Sequence, residues 1–203
     1  AKGIHSFRSG YFATHRQLFE QLATAGQKPE TLFITCSDSR VVPNLITNAA
    51  PGELFLVRNV GNVVPHPSLP GGTAAAMEYA VEVLEVENVI VCGHTQCGAI
   101  QAILHPETVE HLPYVKRWVD GGGELSRLMS ERYAQLEGDA LATVAVQENV
   151  LLQAENLRRF EFVEKKLAAG KLHISAWVFK IATGQVFDFD PESGEFVELS
   201  PDE

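Results

Sequence analysis

Two short segments concentrate the residue types that could do chemistry: Cys36-Ser37-Asp38-Ser39-Arg40 and His94-Thr95-Gln96-Cys97-Gly98. Cys36, His94 and Cys97 together offer two thiolates and one imidazole, a borderline-soft donor set that suits Zn²⁺. His94 and Cys97 stand three residues apart and can grip one ion from a tight turn. A helix opening at Cys97 lowers its thiol pKa through the helix dipole. Three protein ligands leave a fourth position open, the arrangement of catalytic zinc. Asp38 can fill that position, or stand back and accept a hydrogen bond from a water there. Arg40 is placed to hold it back as a charge-assisted partner.

Either segment alone is a weak signal, because buried cysteines at strand ends are often inert. Their joint occurrence, just past the first and the third strand, carries the metal reading. Short apolar runs alternate with helical patterns, which predicts an α/β fold with a mainly parallel central β-sheet flanked by helices. Strands are expected at 31–35, 54–60 and 88–93. Both chemical segments then fall at the carboxyl ends of strands, where open parallel sheets bind ligands. An amphipathic helix is expected over 4–25, a mostly apolar one over 73–86, one over 97–104, and helical structure through 112–159 with breaks at Gly121-Gly122-Gly123 and Gly138. In the 73–86 helix Glu78, Glu82 and Glu85 form a narrow polar stripe, so a partner subunit is expected to bury part of the remainder. Alternation over 172–181, then Thr183-Gly184-Gln185, then 186–190 predicts a C-terminal β-hairpin. The expected organisation is one domain over 1–203, with a helical arm (1–30), an α/β core (31–170), the hairpin (171–190) and a poorly ordered acidic tail (191–203).

Composition narrows the function classes. With 16 Lys+Arg against 26 Asp+Glu the formal charge is −10, a poor match to nucleic acid or anionic lipid. The apolar runs fall far short of the roughly 20 residues that span a bilayer, and no signal-peptide pattern opens the chain. Three cysteines without a CxxC pair point to a reducing compartment, so a cytoplasmic location is expected. Cys92 sits inside an apolar strand and is assigned to packing. His5, His15, His66, His105, His111 and His173 lack ligand spacing with one another. No phosphate-binding loop, dinucleotide fingerprint or nucleophile elbow is present.

The two segments resemble the β-class carbonic anhydrases, in order and spacing, together with Gly52-Glu53-Leu54-Phe55, Val57-Arg58-Asn59, Asn62-Val63 and Glu78-Tyr79-Ala80. Phe19-Glu20-Gln21-Leu22 and Pro43-Asn44-Leu45-Ile46-Thr47 are most similar to bacterial members, cyanobacterial carboxysomal ones included. The resemblance implies zinc held by Cys36, His94 and Cys97. It implies Asp38 as a fourth ligand only in a closed, inactive form, and paired with Arg40 in the open form. It assigns Gln27, otherwise a solvated loop residue, to hydrogen-bonding substrate across a dimer interface. Phe55, Val60 and Tyr79 match the apolar wall for carbon dioxide, and the backbone N–H of Gly98 matches a bicarbonate contact. Phe33 replaces the Trp of a subgroup with an inhibitory bicarbonate site, which argues against that site. Thr95 and Ala99, where many members have Ser and Gly, bear on rate rather than on zinc binding.

The implied function is zinc-dependent reversible hydration of carbon dioxide to bicarbonate and a proton, by an obligate homodimer or higher homo-oligomer. The same scaffold supports hydrolysis of carbonyl sulfide or carbon disulfide. A non-catalytic zinc-containing assembly adaptor is a third reading, and the retained Asp38, Arg40 and Gln27 argue against it. Cyanobacterial members carry a longer C-terminal extension, not seen after Glu203, so carboxysomal residence stays open.

Overall fold

The computed structural model describes residues 1–200. Six strands, β1 (Thr31–Cys36), β2 (Leu54–Asn59), β3 (Asn88–His94), β4 (His173–Phe179), β5 (Val186–Asp190) and β6 (Glu195–Glu198), form one sheet in the order β2-β1-β3-β4-β5-β6. β2, β1, β3 and β4 run parallel, and β4, β5 and β6 are antiparallel. This is the mainly parallel α/β architecture expected. Leu32, Phe33 and Ile34 are all buried, because the central strand β1 is covered on both faces. Leu32, Ile34, Val89 and Val91 face the main core, while Phe33, Cys92, Val41 and Phe179 pack on the other side.

Helices α5 (Gly72–Glu78), α6 (Gly98–Leu104), α7 (Pro113–Asp120), α8 (Gly123–Arg132), α9 (Gly138–Arg158) and α10 (Glu161–Ala168) follow or link the strands; the short α4 (Pro43–Ile46) lies between β1 and β2. The long α9 lies across β3 and β4, and its approach is what Gly93 is for. A Cβ there would stand 2.5 Å from Val150 Cγ2 and 3.2 Å from Val146 Cγ1. Among the described residues no helix is long and apolar enough to cross a membrane.

Three expectations change in detail. The first helix is three pieces, α1 (Lys2–Ser9), α2 (Tyr11–Thr14) and α3 (Arg16–Ala25). Gly10 is a poor helix former, and the Thr14 hydroxyl and the His15 Nδ1 both engage Tyr11 O. Side chains that compete for helical carbonyls weaken the helix there. No residue of α1, α2 or α3 is buried, although Phe7, Tyr11, Phe12 and Phe19 pack on one another. Beyond α5 the expected helix continues as a π-helical turn, Tyr79–Val83, and Glu85 enters the left-handed region with φ 53°, so the helix stops short of Val86. The acidic tail is not unstructured throughout: 195–198 form β6 against β5, where Val197 and Phe196 supply strand propensity and Phe196 packs on Phe189. Residues 201–203 of that tail lie outside the described residues.

The Gly93 contact generates a test. Valine on a helix has little rotamer freedom, so Gly93→Ala is expected to destabilise the fold by about 1–3 kcal/mol through overpacking. That lowers the melting temperature by roughly 2–12 °C. Val150→Ala in the same chain should restore part of the loss, which thermal denaturation of the two single variants and the double variant would measure.

Candidate metal centre

In the pairing of β1 with β3, Thr35 lies opposite Cys92. Cys36, the next residue of β1, therefore comes level with Gly93, one position before His94. Past His94 the chain turns through Gln96, which takes a left-handed φ of 58°. That turn sets Cys97 as the cap of α6. The two sulfurs and a ring nitrogen of His94 end within 4.8 Å of one another, and all three residues are buried.

Their chemistry fits zinc. Two sulfurs bound to one tetrahedral zinc at ~2.3 Å each stand roughly 3.8 Å apart, and Cys36 Sγ and Cys97 Sγ are 3.9 Å apart. His94 Nδ1 lies 2.9 Å from the carbonyl oxygen of Thr95. A carbonyl only accepts, so Nδ1 carries the proton and Nε2 presents a lone pair, the orientation of a metal-ligating imidazole. Nε2 is buried and has no hydrogen-bond partner among the described residues. A buried polar atom left unsatisfied costs about 1–3 kcal/mol, and a cation held by the two sulfurs removes that cost.

The two thiols lie within hydrogen-bond reach of each other. Cys36 is held far below the ordinary thiol range, first by its hydrogen bond with Cys97 and, against burial, by the backbone N–H of Gly61. Cys97 is pushed up by the same contact and by burial. Cys92, on the opposite face of the sheet, is pushed up to about 12 by burial, which suits the packing role expected of it.

Asp38 lies just outside the three-ligand cluster, with Oδ2 3.8 Å from His94 Nε2. Arg40 Nη2 donates to Oδ2 at 2.8 Å; Arg40 Nε and its backbone N–H donate to Oδ1 at 3.0 and 2.9 Å. These bonds hold the Asp38 carboxyl well below the usual carboxylate range. Of the two arrangements the sequence left open, the structure shows the Arg40-paired one. Arg40 is buttressed in turn by Gln96, whose backbone oxygen accepts from Nη2 at 3.2 Å. Arg58 on β2 donates to the carbonyl oxygens of Cys36, Asp38 and Val41 at 3.2, 2.8 and 2.9 Å. Sequence reading gave neither Gln96 nor Arg58 a positioning role. A left-handed glutamine leaves no sequence signal, and an arginine at the end of a strand reads as solvated.

The remaining candidates divide into two groups. Gly98 opens α6 directly after Cys97. Val60 precedes Gly61, whose N–H donates to Cys36 Sγ, and its carbonyl accepts from the Trp118 indole at 2.7 Å. These two flank the cluster. Phe55 lies opposite Leu32, four residues before Asn59, which lies opposite Cys36; four residues of strand span roughly 13 Å. Its ring packs against Tyr79 at 6.1 Å, and Tyr79 is 44% exposed. Gln27 is exposed before the amino end of β1. The chain does not bring Gln27, Phe55 or Tyr79 to its own cluster.

Comparison with known proteins agrees with this geometry. The family model for carbonic anhydrase matches residues 31–186. A carbonic anhydrase of Synechocystis sp. is 44% identical over 97% of this chain and 72% of its own length. The solved structure of the β-carbonic anhydrase CcaA superposes with a TM-score of 0.94 at 44% identity, covering 98% of this chain and 97% of that one. A structure of tetrameric β-carbonic anhydrases from Sordaria macrospora superposes with a TM-score of 0.84 at 25% identity, covering 92% and 93%. Matched through both ligand segments and along nearly its whole length, the chain belongs to the β-carbonic anhydrase family.

Proposed function

We propose that this protein catalyses the reversible hydration of carbon dioxide to bicarbonate and a proton, with zinc held by Cys36, His94 and Cys97. The observation that carries this reading is the buried, unpartnered Nε2 of His94 beside two sulfurs, with an Asp38 carboxylate locked next to it. When bound there, zinc supplies the Lewis acidity that makes a water nucleophilic near neutral pH.

The chain's own residues do the rest. An ionised carboxylate only accepts hydrogen bonds, so Asp38 can take the O–H of the attacking water and leave its lone pair free for carbon dioxide. Arg40 keeps Asp38 ionised and draws it away from the ligand cluster. Held so far below the usual range, Asp38 orients the water and does not store its proton. The proton leaves for solvent. The Gly98 N–H, at the start of α6, binds product oxygen, and Val60 lines the apolar side. The three cysteines are free thiols, which supports residence in a reducing compartment such as the cytoplasm.

Gln27, Phe55 and Tyr79 act in this reading on the site of a second copy. Their place at the far end of the sheet, away from their own cluster, supports it. So do the three helices of the arm, which bury none of their residues within one chain. The working unit is a homodimer or a dimer of dimers.

Three outcomes are expected. Cys36→Ser and Cys97→Ser proteins should lose both zinc and carbon dioxide hydration, read by elemental analysis and a hydration assay; fully loaded, active variants would contradict the ligand assignment. Arg40→Ala leaves Asp38 free to enter the fourth metal position. Losing a hydrogen bond to a charged group costs about 1.5–3 kcal/mol, a shift of roughly 10- to 100-fold. Activity should fall accordingly with zinc retained, and cobalt-substituted protein should show carboxylate in place of water ligation. For the second copy, Gln27→Ala and Cys36→Ser chains, each nearly inactive alone, should recover about a quarter of parental activity when co-expressed in equal amounts, because mixed two-fold dimers hold one intact site. No recovery would place Gln27 outside a shared site.

A further inference from the structure

The side of α9 that faces the metal centre carries amides where a core-facing helix calls for apolar residues. Asn149 and Gln153 are 1% and 4% exposed, next to the buried Val146, Val150 and Ala154. Both reach the segment 60–64 that follows β2. Asn149 Nδ2 donates to Gly61 O at 3.2 Å, and Gln153 Nε2 donates to Asn149 Oδ1 at 3.1 Å. Gln153 Oε1 accepts from the Val64 N–H at 2.8 Å. All four amide atoms are used, which is the condition on which buried polar groups are tolerated. On its other side Gly61 donates its N–H to Cys36 Sγ at 3.4 Å.

This segment needs an external hold. Gly61 and Asn62 are both left-handed, with φ of 83° and 49°, and 60–64 belongs to no helix or strand. Asn59 holds its middle and far end, accepting from the Asn62 N–H at 3.3 Å and the Val63 N–H at 2.7 Å and donating to Val63 O at 2.8 Å, and the Trp118 indole holds Val60 O at 2.7 Å. The hold on the Gly61 carbonyl, in the next peptide, comes from α9. Apolar side chains of similar volume would fill the same space without fixing that backbone.

We infer that Asn149 and Gln153 are positioning residues for the metal thiolate. They hold Gly61 so that its N–H stays on Cys36 Sγ, which draws electron density from that sulfur. Hydrogen bonds to ligand sulfur tune the metal they bind, so this pair keeps the centre more electron-poor than an undirected thiolate would. The inference rests on the zinc reading above.

The test uses cobalt(II) in place of zinc, reading the sulfur-to-cobalt charge-transfer band, with hydrogen exchange at the Gly61 amide as a second measurement. In Asn149→Leu the band should move to longer wavelength and Gly61 should exchange at least about tenfold faster. Leu157→Ala, a core change on the same helix that removes no hydrogen bond to 60–64, should lower the melting temperature and leave both readouts at parental values. An Asn149→Leu protein with the parental band and parental exchange would overturn the inference, as would Leu157→Ala shifting both equally. Should Asn149→Leu fail to fold, Gln153→Met takes its place, with a smaller shift in the same direction expected and an unmoved band overturning the proposal. A parent protein that binds cobalt without a thiolate band would remove the zinc reading and this inference with it, whereas a parental band unmoved in the variants defeats the inference alone.

Discussion

The centre depends on the alignment of β1 with β3. Their parallel pairing sets Thr35 beside Cys92, which brings Cys36 and His94 to one end of the sheet within reach of a single ion. A slip of one residue would turn either side chain to the opposite face. Much of the surrounding structure serves this register. Leu32, Ile34, Val89 and Val91 lock it through burial on one face, and Phe33 and Cys92 do so on the other. The absent side chain at Gly93 lets α9 lie close over the strand end, and α9 then supplies the amides that reach the loop beside Cys36.

Charge is distributed with the same economy. The chain is strongly acidic, and the two cations nearest the centre are committed to the loop that carries Asp38. Arg40 binds the carboxylate and Arg58 binds three backbone oxygens of that loop. Removing Arg40 frees a side chain, whereas removing Arg58 frees a segment of backbone, so the two arginines are not interchangeable. Cys36 and Cys97 lie close enough to hydrogen-bond to each other without a metal.

The sequence revealed the Cys36, His94 and Cys97 cluster because two segments bearing thiol or imidazole groups end the first and third strands; either segment alone is a weak signal. It revealed the parallel sheet because its strands are short apolar runs separated by helices. It did not reveal the breaks in the arm, since hydroxyl and imidazole groups that capture helical carbonyls at Thr14 and His15 look no different from solvated ones. The π-helical turn at 79–83 was hidden for a related reason: one extra residue in a turn leaves the apolar content unchanged. Asn149 and Gln153 were the legible omission. They stand four residues apart on the apolar stripe Val146, Val150, Ala154, Leu157, and polar residues at such positions ask for a partner. β6 went unread because its two central apolar residues lie within an acidic segment.

The two margins of the sheet are unlike. β6 is short and ends in Glu195 and Glu198, with most of its side chains in solvent. Charged, abbreviated margins of this kind discourage further strands from adding. β2, at the other margin, is longer and leaves Leu56 40% exposed. Growth of the sheet through another copy is therefore favoured at one side only. Two copies joined β2 to β2 about a two-fold axis would present a guarded margin at each end. Such an association would end the sheet at both sides, leaving a further copy no open edge strand to extend.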